Sequence, residues 1–449
     1  MNDISPDVSN TLKPFKRDFR YEKWRWTVFA VTYLAYVGFY LTRKSFSVAK
    51  VGILDDPNIA MDKIMMGKID FAYLIAYAVG QFVWGMFGDR FGARKVVLIG
   101  MLGSVIAGFA MGVSSIVLFI GLFFFIQGLC QSTGWAPLAK NVSSWFSRKE
   151  RGRVYGFWCS NYAIGGLIAS PFAGLMGSYF GNWRYALYMP AATLFIIWLL
   201  FLFFQRNRPE DVGLPPVEEY RGEDFKVVDF NESKEKPKEA EEGSWEAIKT
   251  VLKNPVVLLL GGVYFFLKPT RYAILFWGPV IISEKLGTDM KESGFISALF
   301  ELGGPLGVLF VGYVSDKFFQ ARRMPICVIF LFLLSAVLFS FNILTSTDSV
   351  LMMGILLFAI GFFLFGPDSL IVGTAAVDFG TKKGASTAVG LVNCFGSIGG
   401  ALGGSLPGYI SEKYGWDILF YFLAGAVLLG ALLLLPKWNA VPPSRKTYK

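Results

Sequence analysis

Histidine is absent from all 449 residues. No imidazole can relay a proton, ligate a metal or act as the base for a nucleophilic serine. Cysteine is scarce: Cys130, Cys159, Cys327 and Cys394 are the four in the chain, and each falls inside an apolar run. They read as packing residues and not as a disulfide framework. No G-x-x-x-x-G-K-[ST] loop occurs, so ATP has no phosphate cradle of that kind here. No catalytic constellation and no cofactor motif stand out. The first residues, MNDISPDVSNTLKPFK, carry acids and lack a short apolar core, unlike a cleavable signal peptide. Charge is also thin, with Asp, Glu, Lys and Arg at 17% of residues.

What fills the chain is oil. Hydrophobic residues make up 54% and aromatics 17%, more apolar surface than a soluble fold of this length can bury. Long uncharged runs recur at 26–48, 70–88, 96–116, 118–140, 155–180, 185–205, 255–283, 293–314, 325–345, 350–376, 385–410 and 417–436. Each is long enough to cross roughly 30 Å of hydrocarbon as a helix. The expected fold class is an all-α membrane protein of twelve transmembrane helices. An even number puts both termini on one side. Basic clusters at 13–25, 89–95, 147–153, 316–323, 381–383 and 444–449 mark the two termini and alternate loops. The positive-inside rule makes that side cytoplasmic. It also accounts for the net charge of +10 without a nucleic-acid partner. A plasma membrane, bacterial and inner, is the expected location.

The pattern breaks at 207–254, a Pro-, Glu- and Lys-rich stretch that reads as a cytoplasmic linker. Within it, residues 222–243 are expected to be mobile. It separates a first bundle (1–206) from a second (255–449), and the two resemble each other. GMFGDRFGARK at 85–95 answers GYVSDKFFQARR at 312–323, so that Asp316 follows Asp89 by 227 positions. Gly156 and Gly165 answer Gly390 and Gly399, both at 234. A near-constant offset over six spans is an internal repeat. Two such repeats about an axis along the membrane normal enclose a cavity near the midplane.

The offset gives meaning to an anomaly. Arg43 and Lys44 sit in the first apolar run, in GFYLTRKSFSVAK; 228 positions on lies Arg271, in FLKPTRYAILFW. Snorkelling to the interface would account for either arginine alone. It accounts poorly for a pair at repeat-equivalent positions with apolar residues continuing beyond both. Intramembrane charge is costly and marks function. Two guanidinium forks from opposite bundles suit a phosphate or a carboxylate.

At these residues the chain resembles the major facilitator superfamily, through Gly85, Asp89, Arg90, Gly92 and Arg94 in the loop after the second span. Within it the chain resembles the organophosphate:phosphate antiporters, the glycerol-3-phosphate and hexose-phosphate transporters. The marks are YLTRKSFSVA, GWAPLAK, RPEDVGLPPVE, FELGG, FGPDSLIVGTAA and DFGTKKGASTAVGL, spread over about residues 20–436. The resemblance implies two bundles related by pseudo-two-fold symmetry. It also implies exchange of an organic phosphate for inorganic phosphate by alternating access, as a monomer. Arg43 and Arg271 match the family's phosphate-binding arginines, and Tyr36, Tyr40 and Tyr77 its aromatic hydroxyls. Lys44 and Glu301 match charges that exchange salt bridges as the bundles rock. The nearby carboxylate of Glu301, paired with Lys44 or Lys268, is expected to relieve repulsion between the arginines. Asp89, Arg90, Arg94, Asp316 and Lys317 are expected at the cytoplasmic gate, with Asp89–Arg94 and Asp316–Arg322 as pairs. The chain departs from the family at Gln81, where lysine is common, at Tyr162, where histidine is common, and at Phe276, where an acid is common. Lys268 and Asp368 are additional charges, assigned to the site. A membrane sensor for external sugar phosphate is the alternative function, and a carrier of another organic anion the alternative substrate.

Overall fold

A computed structural model describes residues 18–221, 251, 253–320, 322–345, 349–379 and 385–440. Among them all regular structure is helical. The first half runs α1 (Phe19–Leu54), α2 (Lys63–Phe91), α3 (Ala93–Val113), α4 (Val117–Gln131), α5 (Trp135–Trp145), α6 (Arg148–Trp158), α7 (Asn161–Tyr179) and α8 (Tyr185–Phe204). After the short α9 (Val217–Arg221), the second half runs α10 (Pro255–Leu286), α11 (Met290–Lys317), α12 (Arg323–Thr345) and α13 (Val350–Leu370). It ends with α14 (Ala376–Phe379), α15 (Ala385–Tyr414) and α16 (Trp416–Leu434).

These elements make twelve spans in two six-helix bundles. Three apolar runs that the sequence presents as continuous are interrupted. The fourth span breaks between α4 and α5, and the fifth between α6 and α7. The tenth passes from α13 through a π turn at Ile371–Ala375 into α14. At Ile371–Ala375 hydropathy cannot register the break, because the residues stay largely apolar while the hydrogen-bond register shifts. By length and composition, nine of the described spans qualify as membrane-crossing. Buried cations dilute α1 and α10, and glycines and polar residues dilute α7. Acidic or amide caps start α1, α2, α10 and α11: Asp62 accepts from the Met65 N–H at 2.7 Å, and Asp289 from that of Glu292 at 2.8 Å.

The bundles meet along two glycine-lined crossings, α2 on α15 and α7 on α11. A Cβ at Gly408 would lie 2.1 Å from the Lys63 carbonyl oxygen, and one at Gly67 2.7 Å from that of Ser405. At Gly174 it would lie 2.3 Å from the Met290 carbonyl oxygen, and at Gly294 2.5 Å from that of Ser170. Glycine is needed there because backbone meets backbone. These contacts close one end of the molecule. Toward the other end, where α1 begins, side chains added at the repeat-related Gly156 and Gly390 would meet nothing described within 4 Å.

At that end the connection between bundles starts as a strap. Tyr220 stacks on Tyr21 with centroids 3.7 Å apart and planes 7° from parallel. Glu150 collects Arg25 at 3.1 Å and Arg221 at 2.6 Å. Arg20 donates to the Val212 carbonyl at 2.9 Å. The first fifteen residues expected as linker are thus fastened to the first bundle. The 222–243 segment lies outside the described residues.

Candidate functional site: a cavity between two arginines

Between the bundles lies a cavity of about 580 Å³. Its wall follows helical periodicity. Tyr36, Tyr40 and Arg43 share one face of α1; Tyr77 and Gln81 share one of α2; Tyr264, Lys268, Arg271 and Tyr272 share one of α10. Trp135, Tyr162, Ser369, Asn393 and Ser397 complete the lining used below. Every residue of α1 from 35 to 51 is buried. This helix has protein on all sides, which is why it has no clear apolar stripe.

The first arginine is held by neutral groups. Arg43 is 8% exposed, and its Nε donates to Gln131 Oε1 at 3.1 Å. Gln131 is itself fixed: Oε1 also accepts from the Tyr73 hydroxyl at 2.7 Å, and Nε2 donates to Thr42 Oγ1 at 3.0 Å. The rings of Tyr40 and Tyr77 each lie 4.6 Å from the guanidinium carbon, a cation–π arrangement that holds the charge without neutralising it. Arg43 Nη2 is buried and has no hydrogen-bond partner among the described residues.

The second arginine is held by an acid. Arg271 Nη1 lies 2.8 Å from Asp368 Oδ2, with the Phe365 ring 4.6 Å from its guanidinium carbon. Lys268 Nζ stands 3.4 Å from Asp368 Oδ1. That approach is an ion pair without hydrogen-bond geometry, and Oδ1 is otherwise unsatisfied. Among the described residues, three cations and one carboxylate therefore line the cavity, a surplus of two positive charges. The acid that pairs with a cavity arginine is thus Asp368, on Arg271, and not Glu301, which the sequence led one to expect near the two.

Glu301 and Lys44 form their own pair off the cavity wall, 3.3 Å apart and 3% and 2% exposed. The pair joins α1 to α11 across the bundle interface, with Gly166 of α7 giving Glu301 its space. Nearer the closed end is a second buried pair that sequence reasoning missed. Lys50 and Asp70 are both 0% exposed; Lys50 also donates to the Phe276 carbonyl at 3.2 Å and lies 4.0 Å from the Trp277 ring. Asp70 stands at the first position of the second apolar run and drew no notice there. In fact α2 begins seven residues earlier and carries it inside. Gln131 and Tyr73 were missed because they are neutral, and in an apolar run only charge draws notice.

The expected gate residues lie at the open end, within single bundles. Arg94 donates to the Leu202 carbonyl at 2.7 Å, and its backbone N–H donates to Asn207 Oδ1 at 2.9 Å. Arg90 lies over Phe91 at 5.3 Å. Lys317 donates to the Tyr313 hydroxyl at 2.6 Å. Asp316 pairs with Arg323; Arg322, the expected partner, turns to the Phe319 carbonyl at 3.4 Å. The side chain of Asp89 lies outside the described residues.

Twelve helices in two repeat-related bundles, with a cation-lined cavity between them, define an integral membrane protein of the transporter type. The chain belongs to the Major Facilitator Superfamily, whose family model matches residues 32–403 and again 270–448. It is 32% identical over 436 residues to a probable hexose phosphate transport protein of Chlamydia trachomatis, covering 96% of this chain and 94% of that one. It is equally 32% identical, over 435 residues, to the membrane sensor protein UhpC of Salmonella typhimurium, covering 96% and 95%. Among solved structures, it is similar to a bacterial homolog of the human lysosomal transporter Spinster, inward-facing and unoccupied. The TM-score is 0.72 at 15% identity, covering 94% of this chain and 96% of that one.

Proposed function

We propose that this protein is a secondary antiporter that exchanges an organic phosphate, a sugar phosphate or glycerol phosphate, for inorganic phosphate by alternating access. One observation carries the reading: Arg43, buried, and Arg271, partly buried, one from the first helix of each bundle, line the same cavity. A phosphate dianion offsets the surplus of two charges and can take a planar fork from each side. The hydroxyls and amides of Gln81, Asn393 and Ser397, with the indole of Trp135, suit an uncharged polyhydroxylated tail. Among the described residues, the basic stretches at 20–25, 90–95 and 317–323 lie toward the open end, so by the positive-inside rule that end faces the cytoplasm, with both termini on that side. The conformation is then inward-open, in a plasma membrane. Dianion binding draws the bundles together at the open end and lowers the barrier to rocking.

The test is counterflow in proteoliposomes loaded with inorganic phosphate and supplied with labelled phosphate or hexose 6-phosphate, without ATP. Exchange is expected in the wild type. Arg43→Lys and Arg271→Lys should each lose it, since lysine keeps the charge but not the fork. Near-normal phosphate affinity in either variant would remove the clamp. Tight binding by the wild type with no counterflow would favour the sensor reading, which the likeness to a membrane sensor keeps in play.

A further inference from the structure

The repeat relates more than the two arginines. Gln131 closes α4, immediately before the break in the fourth span; Asp368 lies in the last turn of α13, immediately before the π turn in the tenth. The fourth span of each half thus supplies one acceptor to the arginine of that half's first span, at 3.1 Å in one case and 2.8 Å in the other. The positions correspond, but the chemistry does not. Gln131 is a neutral amide, wholly buried and locked by Tyr73 and Thr42. Asp368 is a carboxylate with one oxygen on Arg271 and the other, lacking a hydrogen bond, facing Lys268.

We infer that Asp368 is a built-in stand-in for the substrate's phosphate on Arg271. An arriving anion displaces it toward Lys268, while Arg43 stays the fixed anchor. The inference rests on the antiport reading and deepens it. Arg271, Lys268 and Asp368 all belong to the second bundle, so in the empty carrier the second arginine is satisfied within its own bundle. Nothing then pulls it toward Arg43. Once phosphate takes the place of Asp368, the anion bridges Arg43 of one bundle and Arg271 of the other, and only the loaded carrier closes at its open end. Asp368 is a positioning residue by this account: it governs when Arg271 is available. Lys268 holds the displaced carboxylate, so the swap moves no uncompensated charge into the membrane.

The experiment measures two quantities on the purified full-length protein: the Kd for inorganic phosphate by calorimetry in detergent, and the rate of phosphate self-exchange in proteoliposomes. Asp368→Asn removes the competitor and keeps the shape. Phosphate should bind at least tenfold tighter, while exchange per bound phosphate slows by a similar factor because release loses its helper. Asp368→Glu keeps the charge and should retain most of both. Gln131→Glu installs a competitor on the anchor arginine and should weaken binding at least tenfold. Melting temperatures identify any variant that misfolds, and the Gln131 arm stands independently of the Asp368 arm. Unchanged or weaker binding in folded Asp368→Asn would overturn the inference, as would tighter binding with undiminished exchange. A wild type that binds no phosphate overturns the antiport reading itself. Phosphate binding that ignores Asp368 overturns only this one.

Discussion

Replacing Glu301 by glutamine should loosen the closed end of the molecule while leaving the cavity intact. Its partner Lys44 lies 3.3 Å away, and both side chains are nearly inaccessible. At an effective dielectric of about 20 the Coulomb attraction at that distance is about 5 kcal/mol. Glutamine still offers the ammonium a neutral acceptor, and a hydrogen bond to a charged group is worth about 1.5–3 kcal/mol. The net loss is then roughly 2–3.5 kcal/mol. Because the pair joins α1 to α11 across the interface, that loss falls on the closed-end contact. The population open at that end should rise by roughly 30- to 300-fold, at about 1.4 kcal/mol per tenfold. Cys159 lines the cavity and serves as the reporter. With Cys130, Cys327 and Cys394 replaced by serine, a membrane-impermeant thiol reagent is applied from the closed side. Its labelling rate should climb by that factor, while phosphate affinity stays within a few fold because Glu301 is off the cavity wall. An unchanged rate in folded protein would mean that the pair persists through the rocking motion and is merely structural. The double variant Lys44→Met/Glu301→Leu leaves no orphaned charge and should recover folding stability but not the wild-type rate.

Gly408→Leu should act at the other crossing. Its Cβ meets the backbone oxygen of Lys63, which cannot give way as a side chain would, and overpacking costs about 1–3 kcal/mol. Closed-side labelling of Cys159 should rise about tenfold or more. Lys50→Met leaves Asp70 charged and buried without its partner, a loss of about 3–5 kcal/mol. The detergent melting temperature should drop by several degrees and be largely restored in Lys50→Met/Asp70→Leu. An undisturbed melting temperature in the single variant would mean that water reaches Asp70.

The pseudo-symmetric plan was legible because repeats write themselves into residue numbers: Asp89 and Asp316, Arg43 and Arg271 stand at nearly one offset. Membrane spans were legible because twenty apolar residues in a row admit few other readings. What stayed hidden was interaction among neutral groups and changes of helix register. Gln131 is as important to Arg43 as Asp368 is to Arg271, yet it is one polar residue in QGLCQSTGW with nothing to mark it. Neither break, at 132–134 or 371–375, carries a proline at the break itself, and the second, IVGTA, stays largely apolar. The role of Asp368 was open in the sequence because a helical wheel gives its face but not its partner. The choice between Lys44 and Lys268 as companion to Glu301 needed the packing of α1 against α11. The beginning of the linker looked disordered by composition, although Tyr220 and Arg221 find an aromatic and an acid waiting on the first bundle.

The strap has a consequence for how the chain is made. All its anchoring partners, from Arg20 and Tyr21 to Glu150, lie upstream of Arg221. So does Asp70, the partner of Lys50. A nascent chain released only that far already owns every group needed to fasten its first bundle and neutralise its deepest lysine. Lys44 is different. Its acid is residue 301, and no acid of the first bundle pairs with it among the described residues. During synthesis that lysine must wait in the membrane, or at its edge, until α11 emerges. The order of residues along the chain therefore makes assembly of the two bundles a second, separate event, with Lys44 and Glu301 as the charges that meet last.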